Sequence, residues 1–528
     1  MDPLGYQCLI LHAHLPFVRH PEHEDPLEER WLHEAMTECY LPLLDVLDGW
    51  RRDRVDWALG LSISPTLLTM LRDPLLIDRY RAHLDRLIEL ARREVTRTRL
   101  SPELNPAACH YLACFESCRR NLDETWGGDV PGAFAEHASE GRLELLGGPA
   151  THPFLPLMLH EPEAIRVQLR VGLDEIERQL GLRPRGMWIP ECGYAPGLDD
   201  FLVEAGVNHT IVDAHGLIQA WPPQSSIHQP VRTPAGLGVL GRDPETSRQV
   251  WNAQEGYPGD PMYREFYRDI GHDLDREWLG RMLPAGVRVD TGIKYHRITG
   301  AVALGDKQIY DPDAAREQIQ AHAEHFVASR VNQSARLVSL EERIPVIVSP
   351  YDAELFGHWW YEGPRFLDSV MRRLGAPGSP VKPITPAGAF ERCPVAEMVQ
   401  PSFSSWGEGG YAEIWLNEQT EWIYPRLDAA VRRMRSLARR HRRNPDPSAR
   451  RALAQMEREL LLAQASDWPF LIRLGNAPHY ARERICDHLG TVRRLAGMID
   501  RGEIDEADLA RAETCNNIFP AIDFTLFA

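Results

Sequence analysis

The stretch Met187-Trp188-Ile189-Pro190-Glu191-Cys192-Gly193-Tyr194 decides how the chain is read. A short apolar run halts at a proline, and the next residue is a carboxylate boxed between Pro190 and Gly193, with Trp188 and Tyr194 on either side. The helical pattern Glu163 to Leu180, closed by Gly181, precedes it; a second helix, Leu198 to Ala205, follows and leads to another short apolar run, Asn208 to Val212. Helix, strand, carboxylate, helix, strand is the rhythm of parallel βα units, in which functional residues collect at the carboxyl ends of strands.

The same rhythm runs outward in both directions. Upstream, the strand-like Tyr6 to Leu11 empties into His12-Ala13-His14-Leu15-Pro16-Phe17, and two histidines two apart on an extended segment point the same way. An amphipathic helix at Leu41 to Trp50, a strand at Val55 to Ile63 and a long helix from about Asp78 through Thr98 follow. The strand Leu143 to Leu146 then ends in Gly147-Gly148-Pro149 and delivers Thr151-His152-Pro153-Phe154. Downstream, Val346-Ile347-Val348 delivers Ser349-Pro350-Tyr351-Asp352-Ala353-Glu354. Prolines punctuate Trp221 to Gly292, which reads as an insertion of loops and short strands. After about Pro401 strand signals fade, and Asn417 to His441, Pro447 to Ala465 and Pro478 to about Ile499 read as helices. The expected organisation is a catalytic β/α barrel over 1–400, with 221–292 inserted, and a C-terminal helical domain over 401–528.

Composition narrows the function classes. At 528 residues, 43% hydrophobic and 26% charged, the chain has the makeup of a globular protein with room for more than one core. The balance of 59 basic against 76 acidic residues leaves a net charge of −17, a field that repels phosphate backbones and makes nucleic acid a poor partner. No apolar run reaches the roughly 20 residues of a membrane span, and Met1-Asp2-Pro3 lacks the basic start of a signal peptide, so a cytoplasmic location is expected. The nine cysteines form no metal or redox pair and are expected to be reduced and structural. Nothing in the sequence reports an oligomeric state.

Two carboxyl groups about 5 to 5.5 Å apart are what glycosidic bond cleavage with retention requires, one attacking the sugar and one protonating the leaving oxygen. Glu191 and Asp352, each just past a short strand, are the pair a barrel would bring to one rim. Glu354 competes for the acid role, and either carboxylate also reads as an ordinary helix cap or loop ion-pair partner. The His12-Ala13-His14 pair, with His152 and Asp352, has the composition of a zinc site in a polysaccharide deacetylase, a reading of a different class. His14 taken alone reads equally as a ligand contact or a supporting core histidine.

Five motifs in order resemble glycoside hydrolase family 57, and more closely its α-1,4-glucan branching group: His12-Ala13-His14-Leu15-Pro16, Gly147-Gly148-Pro149-Ala150-Thr151-His152, Trp188-Ile189-Pro190-Glu191, Ser349-Pro350-Tyr351-Asp352-Ala353-Glu354, and Ser404-Ser405-Trp406-Gly407-Glu408. The resemblance extends to Gln464-Ala465-Ser466-Asp467-Trp468-Pro469-Phe470. It implies an incomplete (β/α)7 barrel with an inserted subdomain and a helical C-terminal domain, an α-glucan substrate, no cofactor and no metal. It implies Glu191 as nucleophile and Asp352 as acid/base, with His12, His152, Trp406 and Asp467 contacting sugar and Arg264 carried over less directly from the insertion. Trp415 and Trp31 are further candidate sugar platforms, and His14 joins the substrate-binding set. Amylase and 4-α-glucanotransferase activities of the same family share these catalytic residues and remain alternatives, whereas the intact carboxylate pair argues against a non-catalytic glucan-binding protein.

Overall fold

Strand β1 (Gly5–Ala13) is the axis of the molecule because its side chains alternate between two interiors. Leu9, Leu11 and Ala13 pack outward against helices, while Cys8 and Ile10 point into a second core with Val346 and Val348. Continuing the period of two brings His12 to the inner face at the strand's carboxyl end. The other strands are β2 (Leu59–Ile63), β3 (Leu143–Leu146), β4 (Gly186–Met187), β5 (His209–Val212), β6 (Val231–Arg232), β7 (Gly238–Gly241), β8 (Val346–Asp352) and β9 (Val381–Pro383). The computed structural model describes residues 3–252, 255–395, 397–443 and 446–528. Met1-Asp2 lies outside the described residues, so the amino-terminal reading is not tested.

Parallel pairing joins β3, β2, β1 and β8 in one sheet and β4, β5 and β7 in another. Two single bridges join the sheets into a ring: Gly147 pairs with Met187, and Arg242 pairs with Val348. At these seams Trp188 N–H donates to the Gly147 carbonyl at 2.9 Å and Asp243 N–H to the Val348 carbonyl at 2.8 Å. Seven parallel strands therefore surround the inner core, which is the expected (β/α)7 barrel, with β6 antiparallel on β7 and β9 alongside the start of β1. The helix Pro386–Arg392 covers the amino-terminal mouth, where its Ala387 N–H donates to Glu144 Oε2 at 2.6 Å. Among the described residues the carboxyl-terminal mouth is the open end of the barrel.

The inserted region sits later than 221–292. That range contains β7, a barrel strand, whose Gly238-Val239-Leu240-Gly241 is too short and glycine-flanked to show periodicity; the irregular chain lies between Trp251 and Asp311 instead. No sequence pattern marks the helix Pro312–Glu341 either, because its inward face includes Arg330, Gln333 and Ser334 and so breaks the apolar stripe. The helical domain follows the sequence more closely. Pro447–Ala463 buries Leu453, Met456, Leu460 and Ala463 as their spacing dictates, and Tyr424–His441, Asp467–Leu474 and Pro478–Arg501 pack around it. Pro153 bridges to Ala465, fastening this domain to the barrel rim beside His152.

Candidate active site

Glu191 sits in a one-turn 3₁₀ segment, Pro190–Cys192, which opens on the proline three residues past the end of β4. Its backbone is left-handed (φ 63°, ψ 19°), as is that of Cys192 (φ 50°), a conformation costing an ordinary residue about 1–2 kcal/mol. Surrounding bonds hold it there: the Glu191 carbonyl accepts from Trp406 N–H at 2.8 Å, and Tyr194 and Ser404 exchange backbone hydrogen bonds at 2.8 and 3.0 Å. The loop after Pro401 is thus stitched onto the β4 turn. Positive φ at Gly407 and Gly410 lets it reverse direction just after Trp406. In the side chain, Trp406 Nε1 donates to Glu191 Oε2 at 2.6 Å and Ser466 Oγ donates to Oε1 at 3.0 Å.

Asp352 reaches the same rim from β8, where it is the register partner of His12. No side-chain donor holds its carboxyl among the described residues. Glu354, two residues on, is occupied: its Oε1 accepts from His14 N–H at 3.0 Å and from the Tyr40 hydroxyl at 2.5 Å. The two carboxyls of the expected pair are in different states. Burial pushes Glu191 up to about 6, with the bonds from Trp406 and Ser466 holding it from going higher. Burial pushes Asp352 well above the usual carboxylate range, and the nearby charges of Glu354 and Glu191 push it further. The two environments push the pair apart, with donors favouring the anion at Glu191 and burial with like charges favouring the protonated form at Asp352.

Three histidine rings stack beside the carboxyls, with His152 Nδ1 3.8 Å from Glu191 Oε1. His14 lies 3.8 Å from His152 and His152 lies 4.9 Å from His12, centroid to centroid, and Trp188 closes the stack behind His12 at 5.0 Å. Burial, reinforced by the neighbouring rings, holds His12 and His152 well below the ordinary histidine value. Burial acts the same way on His14, but Asp467, with both oxygens 3.0 Å from Nε2, outweighs it and raises the value. His14 Nδ1 also meets Ser64 Oγ at 2.8 Å.

These groups line one cavity of about 990 Å³, together with Arg242, Arg264, Phe266, Trp359, Trp406 and Phe470. Arg264 reaches the lining, but its guanidinium is spent on Glu38 at 2.9 Å and lies 3.9 Å over the Tyr361 ring. Burial raises Glu38, and Arg264 and His358 more than offset this, leaving it at about 2. Trp406 keeps a half-buried face toward the cavity, 5.4 Å under Arg242. Trp415 is corrected to a packing residue: it is 1% exposed, stacks on Phe154 at 4.5 Å and supports the Trp406 loop from below. Trp31 packs edge-on against Tyr480, outside the cavity lining.

His14, His152 and Asp467 offer ligand atoms within 4.8 Å of one another, a grouping of the right type for a cation. Asp352 is not among them, and every nitrogen of His14 and His152 already has a protein partner. Two contributors escaped the sequence reading. Ser466 stood in a recognised motif without a role, and Tyr40, in a buried π-helical turn, carries no motif that would flag it.

Residues 8–400 match the family model for glycosyl hydrolase family 57. The chain belongs to this family. Residues 426–527 match a further model, the C-terminal domain of 1,4-alpha-glucan branching enzyme. Among family 57 relatives, a protein of Thermococcus kodakarensis named 1,4-alpha-glucan branching enzyme is 32% identical over 98% of this chain and 77% of its own length. The crystal structure of a family 57 branching enzyme from Pyrococcus horikoshii superposes with a TM-score of 0.89 at 32% identity, covering 99% of this chain and 97% of that one. A Thermotoga maritima structure titled as the α-amylase AmyC superposes at 0.93 with 39% identity, covering 99% of both chains. The similarity to this chain is common to all three, and their named activities differ.

Proposed function

We propose that this chain is a 1,4-alpha-glucan branching enzyme working by retaining double displacement. The observation that carries the chemistry is one cavity holding both carboxyls, Glu191 gripped by two donors and Asp352, among the described residues, buried with no side-chain donor. Glu191 attacks C1 of an α-1,4-linked donor while Asp352 protonates the departing chain. Asp352 then takes the proton of an acceptor 6-hydroxyl, which displaces Glu191 and leaves an α-1,6 branch. His12, His14 and His152 line the sugar subsite, Asp467 offers the lone pairs His14 leaves free to sugar hydroxyls, and Trp406 offers an apolar face to a glucose ring. Glu354, bound by Tyr40 and His14, is left a supporting role.

Branching over hydrolysis is supported by the match of the C-terminal helical region and by its delivery of Ser466 and Asp467 into the site. A glycogen-like α-glucan is the substrate and product class. Nine unpaired cysteines fit a reducing, cytoplasmic setting. Hydrolysis is the second reading, favoured by the similarity to AmyC; it needs only water in place of the acceptor. Incubation with amylose, with α-1,6 linkages counted against new reducing ends by proton NMR, separates the two. Branches in excess are expected, and reducing ends without branches overturn the assignment.

A further inference from the structure

We propose that Ser466 is a positioning residue for Glu191: it terminates a one-way hydrogen-bond chain, His12 to His152 to Ser466 to Glu191, through which the helical domain sets the ionisation and aim of the carboxylate. The proposal rests on Glu191 being the nucleophile. The links are His12 Nε2 to His152 Nε2 at 2.8 Å, His152 Nδ1 to Ser466 Oγ at 2.9 Å, and Ser466 Oγ to Glu191 Oε1 at 3.0 Å.

Counting protons fixes the direction. An ionised carboxylate oxygen only accepts, so Ser466 spends its single proton on Glu191. Its oxygen then accepts from His152 Nδ1–H. A neutral imidazole has one N–H, which leaves His152 Nε2 bare to accept from His12 Nε2–H. His12 ends with a bare Nδ1, and that atom is buried without a protein hydrogen-bond partner. The stacked rings, 3.8 to 5.8 Å apart, disfavour more than one cation among the three, and the Asp467 contact gives that charge to His14.

The bland alternative is that Ser466 merely caps the helix Asp467–Leu474. It occupies the N-cap position but makes no side-chain cap bond. Its backbone N–H donates to the His152 carbonyl at 2.9 Å instead, locking the two residues across the domain boundary. Glu191 also faces Asp467 and His14 from the same wall and Asp352 from β8, so all three contribute to its titration.

In the full-length protein, Ser466→Ala is expected to move the acid limb of the kcat/KM profile upward by about one pH unit, the size of a lost hydrogen bond to a charged group. Ser466→Thr should restore it. An acid limb unmoved in Ser466→Ala overturns the proposal. Nitrogen NMR of histidine-labelled wild type, with His152 identified by its loss in His152→Gln, should report the Nδ1–H tautomer; the Nε2–H tautomer overturns the chain even if Ser466→Ala does not fold. Glu191→Gln separates the two claims. If it is inactive while the Ser466→Ala limb stays put, only the relay falls; if it retains turnover, nucleophile and relay fall together.

Discussion

Glu191 and Asp352 differ in what surrounds them rather than in what they are. Two donors favour the charged form of Glu191 against burial, whereas Asp352 has burial and two like charges, opposed by Arg242, and no side-chain donor among the described residues. A bell-shaped kcat/KM profile follows. As the proposed nucleophile Glu191 must be ionised, so activity is expected to be lost as pH falls through about 6; as the proposed acid Asp352 must be protonated, so activity is expected to be lost as pH rises through its elevated value. The two limbs belong to the pair as coupled titrations. An acid limb near about 4.3, the unperturbed glutamate value, counts against a desolvated nucleophile. Trp406 has two separable jobs. Trp406→Phe keeps an aromatic face and removes the N–H, so the acid limb should rise by about one pH unit with KM little changed, whereas Trp406→Ala should raise both. A Phe variant with an unmoved limb would leave Trp406 as a platform only.

At the scale of elements, the rim residues are placed by tight turns rather than by regular structure. The turn Gly147–Thr151 that carries His152 packs against the helix Pro162–Leu180 at Gly172, where a Cβ would stand 2.3 Å from the Gly148 carbonyl oxygen and 2.7 Å from Ala150 N. Helix propensity alone makes Gly172→Ala stabilising by about 1 kcal/mol. Contact with rigid backbone should reverse the sign, to a loss of about 1–3 kcal/mol, together with a fall in kcat as the His152 turn is displaced. Thermal unfolding and steady-state kinetics check both halves; a raised Tm with unchanged kcat shows that the turn can give way. This close approach has no signature in the sequence, where Gly172 is one more residue inside a helical pattern.

Over the whole molecule, a net charge of −17 surrounds a cleft in which Lys307 pairs with Glu265 at 2.8 Å, Arg242 with Asp213 at 2.9 Å and Arg264 with Glu38. Its cations are largely neutralised locally, which suits an uncharged polymer. kcat/KM on amylose should therefore change less than about two-fold between about 20 and 500 mM NaCl, since no long-range steering is there to be screened. A steep salt dependence measured by initial rates points to a charged substrate instead. The cleft is also a joint product: the barrel contributes Glu191, Asp352 and the histidines, and the helical region contributes Asp467 to the lining and Ser466 behind Glu191. Removing Asp467 alone, as Asp467→Asn, is expected to lower the His14 pKa toward that of its two neutral neighbours, visible in the histidine NMR titration.

The sequence by itself determined the alternation of strands and helices, the strand ends that bear Glu191, Asp352, His12 and His152, the helical C-terminal region, and the family. Those are local properties: a period of two or 3.6, a proline, a glycine, a motif. Tertiary structure decided the rest, because it depends on which distant groups meet. It turned Glu354 into an acceptor for Tyr40 and His14, closed Arg264 onto Glu38, buried Trp415 under the Trp406 loop, and made β7 a barrel strand within what reads as an insertion. Returning to Met187-Trp188-Ile189-Pro190-Glu191, the chain dictates a carboxylate at the end of a strand. Only the fold supplies Trp406 and Ser466, 215 and 275 residues away, whose two donors meet the two oxygens of that carboxylate.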